Sequence, residues 1–205
     1  MPDANGLMFA TMEPPAGMED EFNDWYDTEH LPERNAIAGF LSGTRWVCVH
    51  GFPRWVAVYF LTEAAVLHRP AYVKVGGANS SPWTKRVTAR TIGRQRVVGE
   101  RIGKGDSAPF DPQKTARLLV ARYAVAAANK ETALLRSIEK TTAGMPEKPQ
   151  ARLFRGIESS QGALWLLAGF SQPVGADTLA AHLGTIGGVG ATFFNLYMPY
   201  VKSVG

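Results

Sequence analysis

Cysteine is nearly absent from this chain of 205 residues: Cys48 stands alone, so no internal disulfide can form. It lies in the strand-like run Trp46-Val47-Cys48-Val49, where its expected role is a small core hydrophobe in a reducing compartment. Long apolar runs are missing as well. No stretch approaches the ~18 residues that cross a bilayer, and Met1 to Gly6 lack the basic start and apolar run of a secretory signal. These absences lead us to expect a soluble, cytoplasmic protein with no membrane partner. Histidine occurs only at positions 30, 50, 68 and 182, without the short-spaced ligand pairs of common zinc sites, so no metal is expected. There is no Gly-x-Ser-x-Gly elbow, and Ser80-Ser81 have no neighbouring base, which leaves nucleophilic hydrolysis unsupported. Gly184 to Gly190 lacks the Gly-Lys-Ser/Thr of a phosphate loop and reads as a flexible connection.

Acidic residues are fewer than basic ones, 18 against 22, giving a net charge of +4. Lys85, Arg86, Arg90, Arg94, Arg96, Arg101 and Lys104 cluster, but Glu100 and Asp106 interrupt them and no recognition motif accompanies them. A nucleic-acid partner is therefore not expected, and the cluster reads as the solvated face of a strand.

Apolar residues, at 45%, suffice for a sizeable core. Leu7 to Met12 reads as a strand stopped by Pro14-Pro15. Met18, Phe22, Trp25, Tyr26 and Glu29 follow at helical spacing, and Pro32 is expected to end that helix or open its last turn. Leu41 to His50 and Arg54 to Leu61 read as strands around Gly51-Phe52-Pro53, Thr62 to Val75 as a helix, Trp83 to Thr88 as a helical turn and Arg90 to Ile102 as a strand. After a Gly- and Pro-rich linker the order repeats. Strands are expected at 116–124, 151–157, 163–170 and 191–201, with helices at 129–142, capped by Asn129, and at 177–183. Trp55 to Phe60 and Trp165 to Phe170 lie 110 residues apart, and the same offset places Met8 on Leu118 and Met18 on Ala128.

Two βαββαβ units, 1–103 and 115–205 joined by a linker at 104–114, therefore make an α+β fold of tandem ferredoxin-like repeats. Each antiparallel sheet carries its helices on one face and leaves the other bare. Packing the bare faces together covers both and gives a pseudo-dimeric α/β barrel, with a cleft between helices and sheet in each half.

The densest chemistry lies in Trp25-Tyr26-Asp27-Thr28-Glu29-His30-Leu31-Pro32-Glu33. With Ile37-Ala38-Gly39-Phe40 and Arg45-Trp46 after it, and with Tyr72 and Pro82-Trp83-Thr84-Lys85-Arg86, this stretch resembles the EthD-like members of the dimeric α/β barrel superfamily. The resemblance covers Leu7 to Arg101. It implies paired ferredoxin-like units and a pocket for a small, often aromatic, molecule. Relatives include cofactor-independent dehydratases, cyclases, isomerases and monooxygenases, beside members that bind haem. The first helix of the second half, Glu131 to Glu139, has no Trp-Tyr and no Glu-His, so the first half is expected to carry the site.

A histidine with a carboxylate beside it and a phenol four residues earlier forms a general acid and base set. His30 is the expected proton shuttle, Tyr26 and Glu29 its helpers, and Trp25, Tyr72, Trp83 and Arg34 the substrate-binding wall. The competing reading has His30 and Arg34 meeting the exposed carbonyls and dipole at the helix end, with Glu29 paired to one of them. The expected function is proton transfer on a small hydrophobic or polyketide-like ligand, of lyase, isomerase or cyclase type and without a cofactor. A non-catalytic small-molecule or stress-type binder and a haem protein, whose iron one histidine suffices to hold, are the alternatives. A homodimer built on the internal pseudo-dimer stays open.

Overall fold

Both faces of the sheet are buried, as its first strand shows. Leu7 and Phe9 point to one side, Met8 and Met12 to the other, and all four are nearly solvent-free. The computed structural model describes residues 3–103, 107–125 and 128–201. Its strands are β1 (Gly6–Glu13), β2 (Phe40–His50), β3 (Trp55–Leu61), β4 (Ile92–Ile102), β5 (Arg117–Ala124), β6 (Gln150–Ile157), β7 (Ala163–Phe170), β8 (Thr185–Ile186) and β9 (Val189–Pro199). The α-helices are α1 (Glu19–Trp25), α2 (Leu31–Asn35), α3 (Pro70–Val73), α4 (Pro82–Thr88), α5 (Ala128–Gly144) and α6 (Ala176–Leu183).

The strand order is β2-β3-β1-β4-β6-β7-β5-β9, and a further β2–β9 ladder closes the ring. Each half contributes four antiparallel strands in the same relative order, as the repeated βαββαβ pattern requires. The halves join by ladders at two seams. β4 meets β6 from Val98↔Ile157 to Ile102↔Leu153, and β2 meets β9 from Trp46↔Pro199 to His50↔Leu196. Closure leaves the eight long strands without a free edge. The chain is thus an α+β, eight-stranded antiparallel barrel with its helices outside.

Alternation along the strands builds the packing. Phe9, Val58, Phe60, Val120, Phe154, Trp165 and Tyr197 fill the interior, where Phe9 meets Trp165 edge-on at 5.0 Å. The opposite face of the first half, with Met8, Trp55, Tyr59 and Leu61, packs under the helices. Among the described residues no helix is long and apolar enough to cross a membrane.

Several local expectations need correction. The helix expected at 62–75 is a 3-10 segment, Ala64–His68, followed by the single turn α3, because Pro70 cannot donate the backbone bond that would fuse them. Gly184 to Gly190 is not a loose connection. It holds a two-residue hairpin between β8 and β9, with Gly187 (φ 57°) and Gly188 (φ 78°) both in the left-handed region that such a turn demands. Asn129, expected to cap the helix, lies within α5, which starts one residue earlier at Ala128. Lys104 and linker positions 104–106 lie outside the described residues.

Candidate active site

The helix that carries the motif does not stop at Pro32. After α1 the chain makes a π-helical turn, Tyr26–His30, and then continues as α2 to Asn35. Leu31 N–H donates to the Tyr26 carbonyl, five residues back. The widened turn accommodates a proline ring that would otherwise crowd the carbonyl four residues earlier, so the helix passes through.

This turn is fixed from below by Arg45 on β2. The guanidinium is buried, donates to Asp27 Oδ1 at 2.8 Å and Asn23 Oδ1 at 2.6 Å, and lies over the rings of Tyr26 (4.5 Å), Trp55 (4.7 Å) and Tyr200 (4.4 Å). Tyr200 O–H donates to the other Asp27 oxygen at 3.2 Å. The arrangement satisfies a buried charge with a carboxylate, an amide and π faces at once.

Glu29 is committed elsewhere than the cleft. Its Oε1 accepts from the Ser81 and Thr84 hydroxyls. Ser81 in turn caps α4 by accepting from Thr84 N–H at 2.9 Å, and Trp25 Nε1–H donates to Thr84 Oγ1 at 3.0 Å. Glu29 and Trp25 thereby tie the start of α4 to the motif helix, and Trp25 is wholly buried. Trp83 donates to Glu21 at 3.1 Å, and neither it, Trp25, Tyr26 nor Glu29 lines the cleft.

The cleft itself, about 500 Å³, opens between the sheet and the helices of the first half. That volume lies within the range of small-molecule sites. Met8, Met12 and Tyr59 form its sheet wall, and His30, Arg34, Tyr72 and Thr84 belong to the opposite wall. Of the residues singled out from sequence, His30, Arg34 and Tyr72 therefore meet in one cavity. Tyr72 stacks on Phe40 at 5.8 Å and its hydroxyl approaches Met8 Sδ at 3.4 Å. Arg34 is buried, pairs with Glu33 and donates to the Val75 carbonyl at 2.9 Å.

His30 packs against Trp25 (4.4 Å) and edge-on against Tyr26 (5.2 Å). Its Nδ1 is buried without a hydrogen-bond partner. Burial first, then the Arg34 and Arg45 charges, holds the imidazole pKa well below the usual histidine range, so the ring is neutral. Tyr59 was not anticipated from sequence. Its hydroxyl is also buried and unpartnered, and burial, reinforced by the neighbouring Tyr26 phenol, raises its pKa well above the usual tyrosine value. Tyr26 is likewise pushed up, to about 12, by burial. A usable signal for Tyr59 did exist: strand alternation puts it on the helix-facing side with Trp55 and Ala57, where a phenol needs a partner.

Lys85, Arg94 and Arg96 are exposed, as expected of a solvated face, and they also line the cleft. Arg94 and Arg96 share the face of β4 that carries Val98 toward the helices. No Asp or Glu lines the cavity.

In the second half a cavity of about 460 Å³ is lined by His182 with Ser137, Lys140, Met145 and Thr185, and it includes residues of α5, α6 and β8 but none of the long strands. Leu119, Tyr123, Ile138, Leu164, Leu166, Leu179 and Leu183 fill the space between its sheet and helices, and His182 is exposed on α6. His50 and His68 are exposed as anticipated, with His68 Nε2 3.3 Å from Glu158. Among the described residues no cluster of three or more His, Cys, Asp or Glu side chains could hold a metal ion.

No protein-family model matches the chain, and no curated protein matches it. Solved structures are similar in fold. An anthrone oxidase-like protein superposes with a TM-score of 0.67 at 11% identity, over 97% of this chain and 92% of its own. A mutant chlorite dismutase from Candidatus Nitrospira defluvii gives 0.61 at 10% identity, over 98% and 92%. A haem-binding protein from Thermus thermophilus gives 0.58 at 10% identity, over 97% and 92%. At these identities the likeness speaks for architecture alone, the eight-stranded antiparallel α+β barrel.

Proposed function

We propose that the first-half cleft is the active site of an EthD-like enzyme that moves a proton on a small hydrophobic or aromatic molecule, with His30 as base. The observation that carries this reading is the presence of two buried, unpartnered polar atoms, His30 Nδ1 and Tyr59 Oη, on residues that line one cavity. Folded proteins rarely leave such atoms unpaired, because each costs ~1–3 kcal/mol. A ligand group can supply what the fold withholds.

A neutral imidazole accepts a proton from a carbon beside a carbonyl. The electron pair left behind moves onto the carbonyl oxygen. Tyr59, kept protonated by its raised pKa, donates a hydrogen bond to that oxygen, and Arg34 adds positive charge nearby. The protonated His30 then returns its proton to a second carbon in an isomerisation, or to a departing hydroxyl in a dehydration. No cofactor enters this scheme. Tyr26 and Glu29, the helpers expected from sequence, act instead as supports: one packs against the His30 ring, the other anchors α4.

The test is exchange of the acidic C–H of an aryl ketone in D2O, followed by NMR. Exchange that His30→Ala abolishes while ligand binding persists supports the enzyme. Binding without exchange in the unaltered protein favours the non-catalytic binder, and exchange unaffected by His30→Ala removes the histidine from the mechanism.

One observation favours a haem-binding reading as the alternative. A neutral His30 shares the cleft with Arg94 and Arg96, so the histidine would hold the iron and those cations would pair with the acidic groups of a porphyrin. Haem would supply electron-transfer or oxygen chemistry. Titration with hemin settles the matter, since this reading requires a Soret shift that His30→Ala removes.

A further inference from the structure

The charges around the cleft are one-sided. Arg34, Lys85, Arg94 and Arg96 line it, and no carboxylate does. Two of the four are paired outside the cavity lining: Arg34 with Glu33, and Arg96 with Glu158 at 3.0 Å. Lys85 and Arg94 have no ion-pair partner among the described residues. They also come from opposite walls, Lys85 from α4 and Arg94 from β4, so two like charges border one cavity with nothing of opposite sign in its lining. Such an arrangement is unfavourable until an anion enters, and it raises the local concentration of anions at the mouth.

The rest of the wall has the opposite character. Met8, Met12, Tyr59 and Tyr72 offer thioether and aromatic surface, and Ala10, the register partner of Arg96, leaves room above the sheet. An apolar body can seat there with one end held by Lys85 and Arg94. We infer that the cleft selects an aromatic molecule bearing an anionic oxygen group, a carboxylate or its equivalent, whose charged end is read by Arg94 and Lys85. The inference rests on the cleft being the functional site proposed above and adds the chemical class of its ligand.

Two dyes that share an aromatic body and differ in one sulfonate test it. They are 8-anilinonaphthalene-1-sulfonate and the neutral N-phenyl-1-naphthylamine, titrated into the full chain by fluorescence. The sulfonate dye is expected to bind at least about tenfold more tightly, with its affinity falling as salt rises. Arg94→Gln and Lys85→Gln should each weaken it about fivefold and leave the neutral dye unchanged. Both positions are exposed enough to accept glutamine without disturbing the fold. Tyr72→Ala should weaken both dyes, which locates them in the cleft.

Equal affinities, tighter binding of the neutral dye, or no binding of either would overturn the inference. So would a sulfonate affinity indifferent to both glutamine variants, or dye binding indifferent to Tyr72→Ala. Because neither dye is turned over, the outcome separates from that of the catalytic reading. Anion preference without proton exchange defeats only catalysis, and exchange without the preference defeats only the ligand class.

Discussion

Asp27 and Arg45 form a buried ion pair with oxygen and nitrogen 2.8 Å apart, and this pair holds the turn from which His30 projects. Asp27 stands in the π-helical turn itself, while Arg45 comes from the middle of β2, so the contact joins helix to barrel. Removing one partner leaves a charge uncompensated among aromatic rings. Asp27→Ala is expected to cost about 3 kcal/mol in urea denaturation and to weaken ligand binding in the cleft.

Tyr59→Phe should separate stability from function. The hydroxyl has no partner in the fold, so deleting it removes a desolvation cost of about 1 kcal/mol and should leave the melting temperature unchanged or higher. Proton exchange should fall, because the donor facing the developing oxyanion is gone. A loss of stability together with unchanged exchange would refute both halves of this expectation.

His30 makes stability fall with acid. The imidazole pKa in the fold lies below that of an unfolded histidine, ~6.5, because burial and the Arg34 and Arg45 charges oppose protonation. As pH drops through that value the unfolded chain takes up the proton first. The stabilisation is therefore complete above ~6.5 and is lost progressively below it. Denaturation midpoints of His30→Gln should decline less steeply than those of the unaltered protein between about pH 7 and pH 5.

Glu29→Ala should loosen the loop before α4. The carboxylate accepts from both Ser81 and Thr84, and its half-exposed position limits the loss to about 1 kcal/mol. Limited proteolysis should reveal faster cleavage near Gly76 to Ser81 while the barrel stays intact.

Cys48 should be slow toward thiol reagents. Burial raises its pKa to about 11, and the thiol donates to the His50 carbonyl at 3.0 Å. At about pH 8 roughly one molecule in a thousand carries the reactive thiolate. Rapid labelling in the folded state would contradict this.

Much of this architecture can be read from residue spacing. The continuous, β-forming apolar runs at Trp55 to Leu61 and Ala163 to Phe170 mark two central strands, and their common offset leads to the tandem order and hence to a barrel. His30, Arg34 and Tyr72 reach the cleft as their positions suggest. What spacing cannot supply is the partner across space. Glu29 falls on the same helical stripe as Trp25, yet its fate depends on Ser81 and Thr84, over fifty residues away in sequence. Arg94 and Arg96 are solvated charges as their spacing suggests, but spacing does not report that the face they occupy borders a cavity. The π turn escapes a reading based on a period of 3.6, since one widened turn shifts every later position and lets Pro32 sit inside the helix.

The β2–β9 seam bears on how the protein is made. During synthesis β2 and the motif helix emerge long before β9 and Tyr200, which supply the second ladder for β2 and the phenol against Asp27. The nascent first half can pair its own four strands, but β2 keeps an open edge and Arg45 lacks one wall of its aromatic enclosure until the last strand arrives. The enclosure of Arg45 beneath the motif helix is thus complete only once β9 and Tyr200 have been made, and a ribosome stalled before β9 would present a helix bearing His30 that is not yet locked in place.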